Sequence, residues 1–475
     1  MKDAHSFLKI KREKSSYRPV RDRIKDYGDV AVLRSDTKTK EQASRCMDCG
    51  VPFCHWGCPA GNVIPVWNEL VFQGRWEKAF NVLQSTMNFP EFTGRLCPAI
   101  CEASCVLGAN DDPVTIRENE LAIIEYAFKH DLIKARSSKS LERTGKKVAV
   151  VGSGPAGLAC ADELNKLGHN VVVFEKDDKI GGILRYGIPD FKLEKWIIDR
   201  RLEIMKKEGV VFETKVNVGI DYDIAKLLHD HNAVCLAGGS RVPRDMKIEG
   251  RGLNGIYFAM DYLTQSNKRA AGERINPDIE INAKGRHVVV VGGGDTGSDC
   301  VGTAHRQGAA SVTQIELLPQ PPECRTDEMP WPKYPILLKT TSSHEEGGKR
   351  EWAVLTKKFI GENGNVKKLS CVRVDFSNKD ERNCPIMREV PGSECEIKAD
   401  MVVLSMGFMH PEHDGLLQKL GVNLDQRKNV ATSDNYMTSK KGVFSAGDMR
   451  RGQSLIVWAI QEGRQSAKCI DEYLV

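Results

Sequence analysis

The stretch Lys147-Val-Ala-Val-Val-Gly-Ser-Gly-Pro-Ala-Gly157, running on into Leu158–Leu167, decides the architecture of this chain. An apolar strand enters a glycine turn and leaves as a helix, which is the start of a dinucleotide-binding βαβ unit. Gly152 serves the tight turn, Gly154 lets backbone approach a pyrophosphate, and Gly157 lets the helix pack on the strand. The helix N-terminus, opened by Pro155 and Ala156, then favours phosphate charge. A second apolar strand, Asn170–Glu175, ends 23 residues after Gly152, and Glu175 is placed to accept the ribose hydroxyls of an adenosine.

The same texture recurs downstream. Arg286–Val291 runs into Gly292-Gly-Gly-Asp-Thr-Gly297, and Ser311–Leu317 reads as the next strand. Gly292, Gly294, Thr296 and Gly297 repeat the turn chemistry. Asp295 is mildly unfavourable beside a pyrophosphate and is expected to turn away and cap the helix. Glu316 lies 19 residues after Gly297. A carboxylate there suits the ribose diol of NAD and repels the 2′-phosphate of NADP; the other reading is a solvated charge at a strand end. Two further segments point to FAD in the first unit. Gly181-Gly182 follows the second strand, where a second loop can flank the pyrophosphate. Near the C-terminus Gly442-Val-Phe-Ser-Ala-Gly-Asp448 reads as a strand ending in an acid that can take a ribityl hydroxyl, with a helix over Ser454–Ala467. The plainer role for Asp448 is a helix N-cap.

Upstream the texture is different. Asn62–Phe72, Arg75–Ser85 and Arg117–Phe128 carry apolar residues at helical spacing, and 134–146 is a polar linker without period. Seven of the 15 cysteines fall between Cys46 and Cys105, as Cys46-x2-Cys49-x4-Cys54-x3-Cys58-Pro59 and Cys97-x3-Cys101-x3-Cys105. Such spacing suits iron–sulfur clusters or zinc. If 97–105 is helical, Cys97 and Cys101 lie ~6 Å apart along the axis and Cys97 and Cys105 ~12 Å, too far for one compact cluster. Two clusters fit better: Cys46, Cys49, Cys54 and Cys105 on one, and Cys58, Cys97 and Cys101 on the other. The second set is one ligand short, which a non-cysteine ligand, an open iron or a three-iron cluster would each resolve. The competing reading is one structural zinc on Cys46, Cys49, Cys54 and Cys58. The other eight cysteines are single and read as buried apolar residues. No cysteine pair follows Gly182, which argues against a thiol reductase.

Composition sets the outer bounds. At 475 residues with 41% hydrophobic and 28% charged residues, the chain is a folded protein of two or three domains. No apolar run approaches the ~20 residues of a membrane span, and no apolar block follows Met1-Lys2, so a cytoplasmic protein is expected. The charge is uneven: residues 1–45 carry 13 Lys or Arg against 7 Asp or Glu, out of a net +5 overall. This basic arm reads as a solvated segment or as a docking arm for an acidic partner. Nothing supports a nucleic-acid role.

The motifs together resemble the small subunit of glutamate synthase and the N-terminal electron-entry half of dihydropyrimidine dehydrogenase. The resemblance rests on Cys46–Pro59, Gly94-Arg-Leu-Cys-Pro98, Gly152–Gly157, Gly181–Pro189, Gly292–Gly297 and Ala446–Ser454. It implies a helical iron–sulfur domain (1–145) and two Rossmann-like domains of the pyridine nucleotide-disulfide oxidoreductase type: FAD-binding over 146–240 and 409–475, and NAD(P)H-binding over 241–408. It implies FAD, a nicotinamide nucleotide and two 4Fe-4S clusters, and it places Glu120 on iron as the missing ligand. Through the matched motifs it adds Leu184, Gln453 and Ser454 to the cofactor contacts. The bacterial NADPH type tends to carry paired arginines after the second strand of the nicotinamide domain. Here the segment is Glu316-Leu-Leu-Pro-Gln-Pro-Pro322, similar to the NADH type. The resemblance further implies a hetero-oligomer with a large subunit that carries FMN and iron–sulfur and makes glutamate from glutamine and 2-oxoglutarate. A ferredoxin or another flavoenzyme is the alternative partner. The glutamine-splitting machinery, which needs an N-terminal cysteine, is not expected in a chain that begins Met1-Lys2.

Overall fold

The computed structural model describes residues 5–136, 142–382 and 384–475. The middle of the expected linker, 137–141, lies outside the described residues. The glycine-turn strand Lys147–Val151 sits inside a five-stranded parallel sheet, in the order Val443–Ser445, Ala233–Leu236, Lys147–Val151, Asn170–Glu175, Val211–Thr214. Its residues Val148, Ala149 and Val150 are fully buried, as expected of a strand covered on both faces. The helix Pro155–Lys166 covers one face, and the C-terminal helix Ile456–Leu474 packs against it.

The second sheet repeats the plan: Ile256–Phe258, Met401–Leu404, His287–Val291, Ser311–Ile315, Lys349–Glu351, all parallel. The chain enters this domain through Val242–Pro243 and leaves it through Phe408–His410, and the two segments pair antiparallel. The domain also carries a four-stranded antiparallel flap over Val354–Glu362, Asn365–Lys379, Pro385–Glu389 and Cys395–Lys398, which the periodicity analysis did not anticipate.

The N-terminal domain is helical, with Ile64–Phe72, Trp76–Thr86 and Ile116–Lys129 within two residues of the expected helices. Trp67, Phe89, Phe92 and Ile116 are essentially inaccessible. Their core is continuous with the FAD-type domain, reaching Leu164, Ile197 and Leu202. The expected helix over 97–105 is broken. Cys97 is extended, Ala99 is left-handed at φ 62°, and only Ile100–Ala103 is helical. Pro98 is the cause, since the residue before a proline is driven out of the helical region. The basic arm is not a free tail. Arg23 is 2% exposed and donates to the Ser342 carbonyl (2.7 Å) and to Glu346 (2.8 Å) of the second sheet domain. Arg34 donates to Thr115, and Arg45 to the carbonyls of Ile10 and Asp112.

Candidate functional site

The first glycine loop closes tightly against its sheet. Gly152 adopts φ +108°, and a Cβ there would lie 2.4 Å from the Ala237 carbonyl oxygen. A Cβ on Gly157 would lie 1.9 Å from the Gly152 carbonyl oxygen, so helix and strand approach as the spacing predicts. Gly154 faces open space, the cradle that a pyrophosphate requires. Beneath the loop, Glu175 accepts from the Ser153 N–H (3.1 Å) and from the Asp177 N–H (2.9 Å). Gly182 folds over the loop at φ +52°, and a Cβ there would lie 3.0 Å from the Gly154 Cα. Leu184, expected at the cofactor, is instead fully buried and does not line the cleft. Its N–H is taken by Gly181, and Ile183 and Tyr186 line the cleft in its place.

The C-terminal segment completes this half. Asp448 is the first residue of the short helix Asp448–Arg451, with Gly447 rather than Asp448 at the cap. Its carboxylate accepts from the Ser454 hydroxyl (2.7 Å), and burial pushes its pKa up to about 6. Gln453 Oε1 accepts from the Phe408 N–H (2.6 Å), bracing the outgoing crossover. The long C-terminal helix begins at Ile456, and Leu455, Ile456 and Ala459 line the cleft at its N-terminus.

The second loop reproduces the first. Glu316, one residue past the end of its strand, accepts from the Gly293 N–H (2.6 Å) and the Leu318 N–H (3.0 Å). A Cβ on Gly297 would lie 2.2 Å from the Gly292 carbonyl oxygen. The expectation for Asp295 is not met: Gly294 occupies the cap without a side-chain bond, and Asp295 and Thr296 line the cleft. Two charged residues that pattern reading missed lie alongside. Lys192 is paired with Asp299, one turn into the helix after Gly294. Neither carries a motif, because the pair joins distant parts of the chain. Ser240 was also missed. Its Oγ is buried without a partner among the described residues, and it follows Gly238-Gly239 at the end of an apolar strand, a signal that was readable.

One cleft of about 2340 Å³ joins these parts. It is walled by Gly152–Ala156, Glu175, Asp448 and Ser454, by Gly292–Thr296 and Glu316, and by Leu96–Ala99 and Arg117 of the helical domain. Cys97 therefore stands on the same wall as both glycine loops.

The seven clustered cysteines fall into two groups. Cys46, Cys49, Cys54 and Cys105 line one small cavity with Pro52, Ile64 and Pro65. Cys54 is pushed up to about 12, by burial first and then by Cys105, Cys46 and Cys49. Cys58 is directed elsewhere, with Cys97, Cys101 and Glu120. Cys97 is pushed up to about 12 by burial, with Glu120 and Cys58 adding to it, and Cys101 is raised by burial and then by Cys58 and Cys97. Glu120 is buried, accepts from the Thr93 hydroxyl, and is pushed up to about 7 by burial. This grouping is compatible with two centres, although the continuous helix assumed over 97–105 is absent. Cys58 does not line the cavity shared by Cys46, Cys49 and Cys54, so these four do not face one common centre. Thiols this buried favour the neutral form unless a cation faces them, so the donor sets fit multi-iron clusters.

Comparison with known proteins agrees. A pyridine nucleotide-disulphide oxidoreductase family model matches residues 146–463, and a model for dihydropyrimidine dehydrogenase domain II, 4Fe-4S cluster, matches 23–132. The chain is 50% identical to a glutamate synthase [NADPH] small chain of Mycobacterium tuberculosis, over 100% of this chain and 96% of that one. It is 44% identical to the corresponding protein of Bacillus subtilis, over 99% and 98%. It is also 45% identical to a glutamate synthase [NADH] of Schizosaccharomyces pombe, over 98% of this chain but 22% of that longer one. Among solved structures, Mycobacterium tuberculosis FprA in complex with NADPH has a TM-score of 0.56 at 17% identity, covering 70% of this chain and 84% of that one, a likeness of fold. Paired glycine loops, divided cysteines and full-length likeness converge: the chain belongs to the glutamate synthase small-chain family.

Proposed function

We propose that this chain is the electron-entry subunit of a glutamate synthase, oxidising NADH at one end of the cleft and delivering electrons to a large subunit that forms glutamate. The observation that carries this reading is the continuity of the cleft from Glu316, past both glycine loops, to Cys97. FAD held here would supply a two-electron acceptor for hydride and a one-electron donor toward iron–sulfur centres; the polypeptide supplies distance, orientation and electrostatics. Gly152–Gly157 and Gly182 hold the flavin pyrophosphate, Glu175 the adenosine ribose, and Asp448 with Ser454 the ribityl chain. Gln453 holds the crossover against them. Gly292, Gly294, Asp295, Thr296 and Gly297 take the nicotinamide dinucleotide. Cys46, Cys49, Cys54 and Cys105 hold one 4Fe-4S centre, and Cys58, Cys97, Cys101 and Glu120 the other. No side-chain acid or base is needed for the hydride step. The domain limits that go with this reading are 1–145, 146–240 with 409–475, and 241–408. A cytoplasmic site goes with it too, in keeping with fifteen cysteines of which none is joined in a disulfide.

The choice of NADH rests on Glu316. Its carboxylate is held against the loop by the Gly293 and Leu318 N–H groups, where a 2′-phosphate would meet a fixed negative charge. The small-chain relatives are named for NADPH and the longer relatives for NADH, so the proposal of NADH rests on this residue alone. Anaerobic titration followed by visible absorption tests it. NADH is expected to bleach the flavin at lower concentration than NADPH, and Glu316→Gln to narrow the gap by about tenfold, the weight of one charge-assisted hydrogen bond. Preferential bleaching by NADPH in the unsubstituted protein would overturn the assignment.

A further inference from the structure

The connection between strands Ser311–Ile315 and Lys349–Glu351 is far longer than a strand-to-strand crossing needs. It starts at Glu316 and Leu317 and returns at Leu338–Ser342, and both ends line the cofactor cleft. Between them it leaves its own domain and reaches the cysteine domain. There Arg325 Nη2 donates to the Ala103 carbonyl (2.8 Å), and the Ser104 hydroxyl donates to the Pro332 carbonyl (3.2 Å). The indole N–H of Trp331 donates to the carbonyl of Cys105 (3.2 Å). The Trp331 ring packs on Phe53, with centroids 4.8 Å apart. Phe53 precedes Cys54, so one tryptophan of the nicotinamide-type domain holds the backbone of one of the four thiols around the smaller cavity and packs on the side chain next to another.

Arg325 keeps this reach in shape. Its Nη1 donates to the carbonyls of Met329 (3.1 Å) and Lys333 (2.6 Å), fixing the turn that presents Trp331. A segment meant only to join two neighbouring strands has no need to leave its domain and place a donor on a cysteine carbonyl. We infer that Trp331 is a positioning residue for the centre held by Cys46, Cys49, Cys54 and Cys105, and that segment 316–342 passes the occupancy of the nucleotide site to that centre. The inference rests on the two-centre reading of the cysteines given above. Mechanically, a dinucleotide that engages Glu316 and Leu317 at one end and Leu338–Ser342 at the other fixes both feet of the segment. Fixing the feet restricts where its tip can hold the Cys105 carbonyl. The indole N–H on the Cys105 carbonyl is itself a polar contact beside that centre, and it changes with the seat of the ring.

The test uses the full chain with flavin and iron incorporated anaerobically. Cys105→Ser first identifies which electron paramagnetic resonance signal belongs to this centre. Iron content and the presence of two signals check the two-centre reading separately from the inference. Trp331→Phe keeps the ring on Phe53 and removes only the N–H. At a fixed poised potential it should change the reduced-to-oxidised ratio of that one signal by about fivefold, the weight of one hydrogen bond, and leave the other signal and the flavin unchanged. ADP-ribose, which carries the adenosine diphosphate part without a redox ring, should alter the same signal in the unsubstituted protein but not in Arg325→Gln. Signals and ratios that are identical in Trp331→Phe would overturn the positioning role. An ADP-ribose response that is absent from the unsubstituted protein, or undiminished in Arg325→Gln, would overturn the coupling.

Discussion

Single carboxylates and thiols do most of the discriminating in this molecule. Glu175 and Glu316 hold the same station in two domains, each accepting from the second residue of its glycine loop. The spacing made both visible, because a strand, a turn and an acid fall within one short stretch. The clustering of seven cysteines between Cys46 and Cys105 was legible in the same way, but the helix assumed over 97–105 to divide them does not form, since Pro98 overrides a helical spacing of three residues between thiols. Cys105→Ser is expected to remove one centre, lowering iron by about half, while the flavin absorbance stays; loss of flavin with full iron would contradict the grouping. Lys195 offers a second residue-scale expectation. Its ammonium donates to the carbonyls of Ile188 (2.6 Å) and Leu193 (2.9 Å), but burial lowers its pKa to about 8, with Asp190 opposing. Between that value and the unfolded value of about 10.4 the unfolded chain binds more protons, so stability from this group rises with pH. Thermal unfolding between pH 8 and 10 should show the protein gaining on Lys195→Met by about 1 kcal/mol per pH unit. A constant difference would mean that Lys195 titrates normally.

At the scale of elements, close backbone contact decides what may change. The C-terminal helix crosses Pro155–Lys166 at Gly463, where a Cβ would stand 2.3 Å from the Ala156 carbonyl oxygen. Alanine in a helix interior ordinarily gains about 1 kcal/mol over glycine. Here the obstacle is backbone, so Gly463→Ala should cost about 1–3 kcal/mol and push the helix off the first glycine loop. The expected readout is a fall in bound flavin with iron retained, measured on the purified protein. The C-terminal helix itself was foreseen from its apolar spacing, though it starts at Ile456 and runs on to Leu474. The antiparallel flap over 354–398 was missed because much of it is exposed on both faces, leaving no clean alternation to read. The 316–342 segment was equally silent, since Trp331 and Cys105 meet across 226 positions and no local pattern records that meeting.

Across the whole molecule, the helical domain is welded to the flavin-type domain and strapped to the nicotinamide-type domain. The weld includes a buried two-point pair, Arg201 Nε to Glu91 (2.6 Å) and Nη2 to Glu91 (3.1 Å), inside the shared core. Glu91→Gln leaves the guanidinium without its counter-charge and should cost about 3–5 kcal/mol in a denaturant melt, partly restored by a second change, Arg201→Gln. An unchanged midpoint would show that the two domains hold together without it. The straps are Arg23 on Ser342 and Glu346, and the segment tipped by Trp331. The basic arm read as a solvated segment or a docking arm because composition reports charge and not direction; Arg12, Arg23, Arg34 and Arg45 point inward. The strand Val443–Ser445 has a consequence of a different kind. It pairs with Ala233–Leu236 across the whole inserted domain, so a ribosome must make some two hundred further residues before that sheet can finish. Until then Ala233–Leu236, apolar throughout, offers a bare edge to any neighbour during synthesis. A premature stop between Leu236 and Val443 would therefore yield a sticky fragment rather than a shortened flavoprotein.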